Sequence, residues 1–318
     1  MPDPGEGAWR VHEGRSGVGR WVQHSELRHL LQVSDAVTRH HLTEASFWSI
    51  LQAMVIPTEK HPTAGTPEAL WAPLVTAVSA TNYSLTASVL TQLVTLMRAM
   101  SPSLPGKKEF LLPLDAAGQP VVLPANTLVA LQTALKHTPS LRQWLSLVTH
   151  NATKTVLIAR TLCHRIGLRH GTVQLILDHP TRPDYTFLQI RDFHKADAPG
   201  EFDMPCAGHT VACDTAEVAL QKELTEEIGL TGDDLEEIRC VGRYEHRETT
   251  TRTDFINVEL RTVYRARLRS QSMAKLHFAD GEVAALTMIT RDALHELVSR
   301  HRDRVASGLL GTLPWYGE

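Results

Sequence analysis

Three carboxylates stand at a spacing that can do chemistry. Glu223, Glu226 and Glu227 lie in the run GHTVACDTAEVALQKELTEEIGL, residues 208–230. On a helix this spacing places all three on one face. Clustered carboxylates repel one another and favour a cation between them. Oxygen ligands of this kind suit Mg²⁺ or Mn²⁺, and Mg²⁺ commonly also takes substrate phosphates as ligands. Such a cation neutralises developing charge and can activate a water. Taken alone, the carboxylates equally describe a solvated acidic helix face. Arg191 and Lys195, just upstream, add donors suited to phosphate oxygens.

These residues need a frame. From residue 153 onward the pattern alternates between extended and helical. Val156–Leu162, Gly171–Leu177, Tyr185–Arg191, Arg239–Glu245 and Asp254–Leu268 read as strands, and Thr215–Ile228 and Thr290–Arg300 as helices. His179–Asp184, with two prolines, is a turn, and residues 192–207 are a loop. Asp214, with Glu217 three residues on, fits a capping box. The fold class is α/β (α+β).

The first half is different. Residues 1–24, rich in Gly, Pro and charge, read as an arm. Helical segments are expected from Thr43 through Phe47, Trp48, Ile50, Leu51 and Met54, from Thr66 to about Ala80, over Leu85–Met100, from Asn126 to Lys136, and over Ser140–Thr149. Ser101–Gly106 stops the third of these. Phe110–Leu114 and Pro120–Leu123 suggest a hairpin. The division expected is a mainly helical domain over 1–150, which offers no chemistry of its own, and a second domain over 151–318.

The whole of residues 208–230 resembles the Nudix box. Gly208, Glu223, Leu224, Glu226, Glu227, Gly229 and Leu230 fall in register with it. Asp214 stands where the pattern has Glu, and Lys222 where it has Arg. Many matches at fixed spacing make the signal specific. The resemblance implies an α/β/α sandwich with a mixed sheet. It implies catalysis through Mg²⁺ (or Mn²⁺) held by Glu223, Glu226 and Glu227. Lys222 lacks the bidentate fork of Arg, and Asp214 is shorter than Glu.

Upstream, Arg191, Lys195 and Pro199-Gly200 keep the spacing R-x-x-x-K-x-x-x-P-G, followed by Phe202 and Ala207-Gly208-His209. This is similar to the type 1 isopentenyl-diphosphate isomerases and the Nudix hydrolases nearest them. The resemblance implies that Arg191 and Lys195 bind the substrate's diphosphate. It also implies a second metal site from His170, His209 and Glu259. Imidazoles with a carboxylate suit Zn²⁺ or a transition metal. His170 matches the isomerase spacing better than His164, Asn257 replaces a second carboxylate, and Leu313-Pro314-Trp315 is similar to a Trp-containing ending in that family.

Two departures point from isomerisation to hydrolysis. The isomerases place a catalytic Cys immediately before the Gly of the box. Here Ala207 holds that position and Cys206 is one residue early, which on a strand turns a side chain to the opposite face. The hydrolase glutamates, which the isomerases relax, are complete. The function implied is Mg²⁺-dependent hydrolysis of a diphosphate linkage in a nucleoside diphosphate-linked or related small molecule, with Glu226, Glu227 or Glu259 as general base. The alternatives are an isopentenyl-diphosphate delta-isomerase using Cys206 and Glu259, or a non-catalytic nucleotide-sensing module.

Composition narrows the partners. The 318 residues suffice for two domains, and the net charge of −3 gives no global basic field for nucleic acid. No apolar run has the length of a membrane span. The N-terminal residues lack a signal pattern, so the expected location is cytoplasmic. Cys163, Cys206, Cys213 and Cys240 show no CxxC spacing and are expected as reduced thiols. The first half is left as a lid, a specificity element or a homodimer surface.

Overall fold

A computed structural model describes residues 9–12, 19–22, 70–100, 109–192, 195, 197–249, 255–278 and 281–317. The expected helix from Thr43 and the stop at 101–106 lie outside the described residues.

Among the described residues the main sheet has nine strands: β1 (Trp9–His12), β2 (Gly19–Val22), β6 (His170–Asp178), β7 (Tyr185–Arg191), β8 (Phe202–Asp203), β9 (Cys206–His209), β10 (Leu235–Thr249), β11 (Ile256–Leu268) and β12 (Val283–Thr290). Its order is β10-β11-β6-β7-β12-β1-β2, with β9 pairing β6 and β8 pairing β7. β11 runs parallel to β6 and the other strand pairs are antiparallel, so the sheet is mixed. Within the stretch expected as an arm, β1 pairs with β12 and with β2. Trp9, Val11, Trp21 and Val22 are strand formers, masked in the sequence by the Gly and Pro around them.

Period-two alternation builds the two faces. Val173, Leu175 and Leu177 of β6 join one buried cluster, while Ile176 joins the other. The first face is covered by α5 (Ala216–Ile228), whose Leu220, Leu224 and Ile228 recur at helical spacing and are fully buried. The second is covered by α6 (Arg291–Arg300) and α7 (Ser307–Thr312) through Leu294, Leu297 and Leu309. This is the α/β/α sandwich expected. The Thr215 hydroxyl caps α5 by accepting from the Val218 N–H. Asp214, expected as the cap, instead pairs with Lys222 at 2.5 Å. Gly229 ends α5 at φ 69°, the left-handed conformation for which glycine is suited.

Ahead of this sandwich, α1 (Ala72–Ala80), α2 (Ala87–Met100) and α3 (Ala125–His137) share one apolar cluster. The same cluster takes in a small sheet of β3 (Phe110–Leu111), β5 (Thr153–Ala159) and β4 (Leu145–His150), together with α4 (Arg160–Ile166). Leu85, Val89 and Leu93 are buried as their spacing predicts. Three expectations here are corrected. Pro124, not Asn126, occupies the cap position of α3. Phe110–Leu111 pairs with β5, and the expected hairpin is reduced to one bridge between Leu114 and Pro120. Ser140–Thr149 is not a helix: a 3-10 turn over Pro139–Gln143 leads into β4. Asn151 and Ala152, both at positive φ, return β4 into β5. That two-residue hairpin turn favours φ > 0 at both positions, and Asn-Ala signals it more weakly than Asn-Gly.

This first module is tied to the sandwich. Arg169 is 1% exposed; its Nε donates to Glu245 Oε2 at 2.7 Å and its Nη1 to the Asn82 carbonyl at 2.8 Å. Its own backbone N–H donates to the Tyr83 carbonyl, and its carbonyl accepts from Leu114. Leu111 bridges Val211, and the Ala212 N–H donates to the Phe110 carbonyl. Replacing a buried charged donor leaves its acceptors unsatisfied. Arg169→Met is expected to lower stability by about 1.5–3 kcal/mol. Equilibrium urea denaturation measures this, and an unchanged midpoint would count against the clamp.

Candidate active site

β6 and β7 pair at Asp178 and Thr186 and then diverge. β9 lines the inner side of β6 and β8 that of β7. Into this split opens a cavity of about 830 Å³. Its wall includes Glu223, Glu226 and Glu227 from α5, Arg191 and Lys195 from the end of β7 and the segment after it, and His209 from β9.

The carboxylates sit at graded depth. Glu227 is 4% exposed, and its Oε2 accepts the Ala207 N–H at 3.0 Å. Glu223 lies flat on the backbone of β9: a Cβ on Gly208 would stand 1.9 Å from its Cδ and Oε1. Only glycine leaves room for that carboxylate. Glu226 is exposed on the cavity rim. Burial and then the neighbouring Glu226 push Glu223 up to about 8. Burial and then Glu223 hold Glu227 well above the usual carboxylate range. Acidic groups crowded this way hold protons in the absence of a cation.

The cations face them. Arg191 Nη1 donates to Asp203 Oδ2 at 3.0 Å, and its Nε and Nη2 donate to the Asp197 carbonyl at 3.3 and 3.1 Å. Lys195 pairs with Glu282, which also lines the cavity.

A second set of donors lies on the same wall. One ligand atom each from His164, His170, His209 and Glu259 all fall within 4.8 Å of one another. Strand register accounts for three of them: His170 stands opposite Glu259 across β6 and β11, and His209 opposite Thr172, two residues along the same face of β6. His164 arrives from α4, its Nε2 3.1 Å from His209 Nε2. The His170 Nδ1 lies 2.8 Å from the Leu168 carbonyl. That bond places its proton there and turns the Nε2 lone pair toward the cluster. His170 Nε2 is buried without a hydrogen-bond partner, an acceptor that a metal would satisfy. Burial and neighbouring positive charge lower the proton affinity of His164 and His209; burial lowers that of His170, partly offset by Glu259. Against its burial, Arg261 at 2.7 Å holds Glu259 below the usual carboxylate range. Three neutral imidazoles and a carboxylate fit a transition metal or Zn²⁺.

Residues 169–308 match the family model described as NUDIX domain. This chain carries a Nudix domain. Solved structures similar to the chain include DR0079 from Deinococcus radiodurans, at 18% identity and TM-score 0.41, covering 55% of this chain and 99% of that one. Others are a C. elegans Ap4A hydrolase binary complex (13%, TM-score 0.34, 46% and 93%) and the NUDIX domain of Shewanella oneidensis NrtR complexed with ADP ribose (16%, TM-score 0.33, 45% and 83%). At that likeness none carries an argument about what this chain acts on. No curated protein matches the chain.

Within the Nudix box, Gly208, Glu223, Glu226 and Glu227 converge on the cavity, and Lys222 joins its rim while paired to Asp214. Cys206 does not line the cavity; it is fully buried under α5 with Leu220 and Leu224, and Ala207 holds the place on the wall. All four cysteines are free. Trp315 packs on Tyr244 rather than on the cavity wall. Among the wall residues that escaped the sequence pattern are His164, Arg160 and Glu109. His164 was set aside by one residue of spacing. Arg160 stands four residues before it, one helical turn away, a signal that could have been read. Glu109 has no sequence signal: it reaches the wall by pairing with Arg160 at 2.7 Å. Among the described residues no helix is long and apolar enough to cross a membrane.

A cation entering this site must displace protons from Glu223 and Glu227, so its affinity rises with pH. The rise in melting temperature caused by Mg²⁺ is expected to be larger at pH 8.5 than at pH 6, differing by about 2 °C or more. Thermal denaturation with and without Mg²⁺ at both pH values checks this. An equal or reversed shift would contradict the placement of the cation on these groups.

Proposed function

We propose that this chain is a Mg²⁺-dependent (or Mn²⁺-dependent) Nudix hydrolase cleaving a diphosphate linkage in a nucleoside diphosphate-linked or related small molecule. The observation that carries this is one cavity holding Glu223, Glu226 and Glu227 together with Arg191 and Lys195. Its charge pattern is that of a site for a cation and a polyanion at once.

Glu223, Glu226 and Glu227 would hold the divalent cation, which when bound neutralises phosphate charge and acidifies water. Arg191, fixed by Asp203 and the Asp197 carbonyl, presents its guanidinium to phosphoryl oxygens without having to be ordered first. Lys195 supplies a second positive charge beside it. Of the three candidates for general base, Glu227 is held by the Ala207 N–H and Glu259 by Arg261. Glu226, exposed at the rim, takes the proton of the attacking water. His164, His170, His209 and Glu259 would hold a second metal that stiffens the junction of α4, β6, β9 and β11. The isomerase alternative asks Cys206 to meet substrate, and its burial under α5 supports hydrolysis instead.

The test is a substrate panel: nucleotide sugars, ADP-ribose, dinucleotides, nucleoside triphosphates and isopentenyl diphosphate, each with Mg²⁺ or Mn²⁺. Release of phosphate-bearing fragments is expected, and Glu227→Gln is expected to lower turnover at least about 100-fold. Binding across the panel with no turnover by the unaltered protein would favour a sensing module and sink the hydrolase. Cys206→Ala, a core truncation away from the cavity, is expected to leave turnover of the hydrolysed substrate within about twofold. Conversion of isopentenyl diphosphate to dimethylallyl diphosphate, lost in that variant, would reverse the assignment.

A further inference from the structure

The family match begins at residue 169, yet the cavity wall includes two residues from before it. Arg160 opens α4, and Glu109 precedes β3. Their side chains meet at 2.7 Å between Arg160 Nη1 and Glu109 Oε2. The Arg160 backbone N–H also donates to the Glu109 carbonyl at 2.9 Å, so the two residues are joined at backbone and side chain. Among the described residues the Arg160 Nε and Nη2 have no hydrogen-bond partner. Both charges act on Glu223 through space, Arg160 favouring its ionised form and Glu109 opposing it. A guanidinium on the same cavity wall as a metal-binding carboxylate is a competitor for the metal.

We propose that Glu109, contributed by the first module, is a positioning residue that holds Arg160 off Glu223 and so keeps Glu223 open to the divalent cation. The first module is then a working part of the Nudix cavity. The assignment rests on Glu223 being a cation ligand, as in the function proposed above. Without the Glu109 carboxylate, Arg160 turns to the nearest unneutralised acid. Glu227 is already held by the Ala207 N–H, Glu259 by Arg261, and Glu226 stands exposed at the rim; Glu223, on the same cavity wall, is the acid for Arg160 to close on. Backbone attachment of the module near this point, through Leu111–Val211 and Ala212–Phe110, fixes where Glu109 stands.

The experiment is a double-mutant cycle read as direct Mn²⁺ binding to the full chain, by the electron paramagnetic resonance signal of free Mn²⁺, with no substrate present. Glu109→Gln is expected to weaken Mn²⁺ binding about tenfold by freeing Arg160. In the Arg160→Ala background the same substitution is expected to change binding less than twofold, because the competitor is gone. A mere change of local field would give the same loss in both backgrounds, and that result overturns the proposal, as does no loss in either. Melting temperatures establish that each variant is folded; if Glu109→Gln is not, Glu109→Ala carries the same cycle. Failure of the unaltered protein to bind Mn²⁺ overturns both this proposal and the metal-dependent hydrolase. Mn²⁺ binding without turnover of any panel compound overturns only the hydrolase.

Discussion

A buried acid and a half-buried one that cannot both stay charged without a counter-ion set the terms for the rest of the molecule. Glu223 and Glu227 are one helical turn apart on α5 and face the same cavity. Burial and then Glu226 drive Glu223 toward protonation, and burial and then Glu223 drive Glu227 the same way. Holding them there is costly, and the surrounding structure is arranged to sustain it. The Ala207 N–H serves one acid, and glycine at 208 yields its side-chain volume to the other. Leu220, Leu224 and Ile228 on the opposite flank of α5 bury the helix against β6 and β9, which fixes how far the acids project. The apolar stripe thereby determines the geometry of the polar one.

The split between β6 and β7 follows the same logic. A sheet fully paired at this point would leave no space in front of α5. β8 and β9 instead satisfy the inner edges of the diverging strands, so backbone donors and acceptors remain paired while a cavity opens. Arg191 stands where β7 leaves the sheet, and its three donor nitrogens are anchored to Asp203 and Asp197. Its neighbours hold it in one orientation, which would suit the phosphate-binding role proposed for it.

How much of this was legible depended on whether the signal was local. The extent of α5 and the bounds of β7 could be read because periodicity is a property of a few adjacent residues. The convergence of Glu223, Glu226 and Glu227 with Arg191 and Lys195 was visible through motif spacing. β4 was misread as a helix because its apolar residues, Leu145, Leu147 and Val148, fit either period over so short a run, and only pairing with β5 decides it. The cap of α5 was misplaced by one residue, since Asp214 and Thr215 are both capping types and Lys222 claims the first. Glu109 reaches the cavity through tertiary structure alone. Glu109 and Arg160 are 51 residues apart in sequence, and no local pattern links them.

A single residue of register separates the two chemistries that this segment resembles. In β9, Cys206 and Ala207 are neighbours, and strand geometry sends their side chains to opposite faces. The thiol goes beneath α5, where burial beside Leu220 and Leu224 makes it a small apolar filler. The methyl group faces the cavity, where it offers nothing to protonate an alkene. Moving the thiol to the other face would require a bulge in β9. The regular pairing of Cys206 to His209 with Leu175 to Thr172 leaves no bulge there. The same regular register delivers the Ala207 N–H to Glu227 and puts Gly208 under Glu223. A shift that rescued the cysteine would therefore dismantle the carboxylate site. The strand holds one arrangement or the other, and in this chain it holds the glutamates.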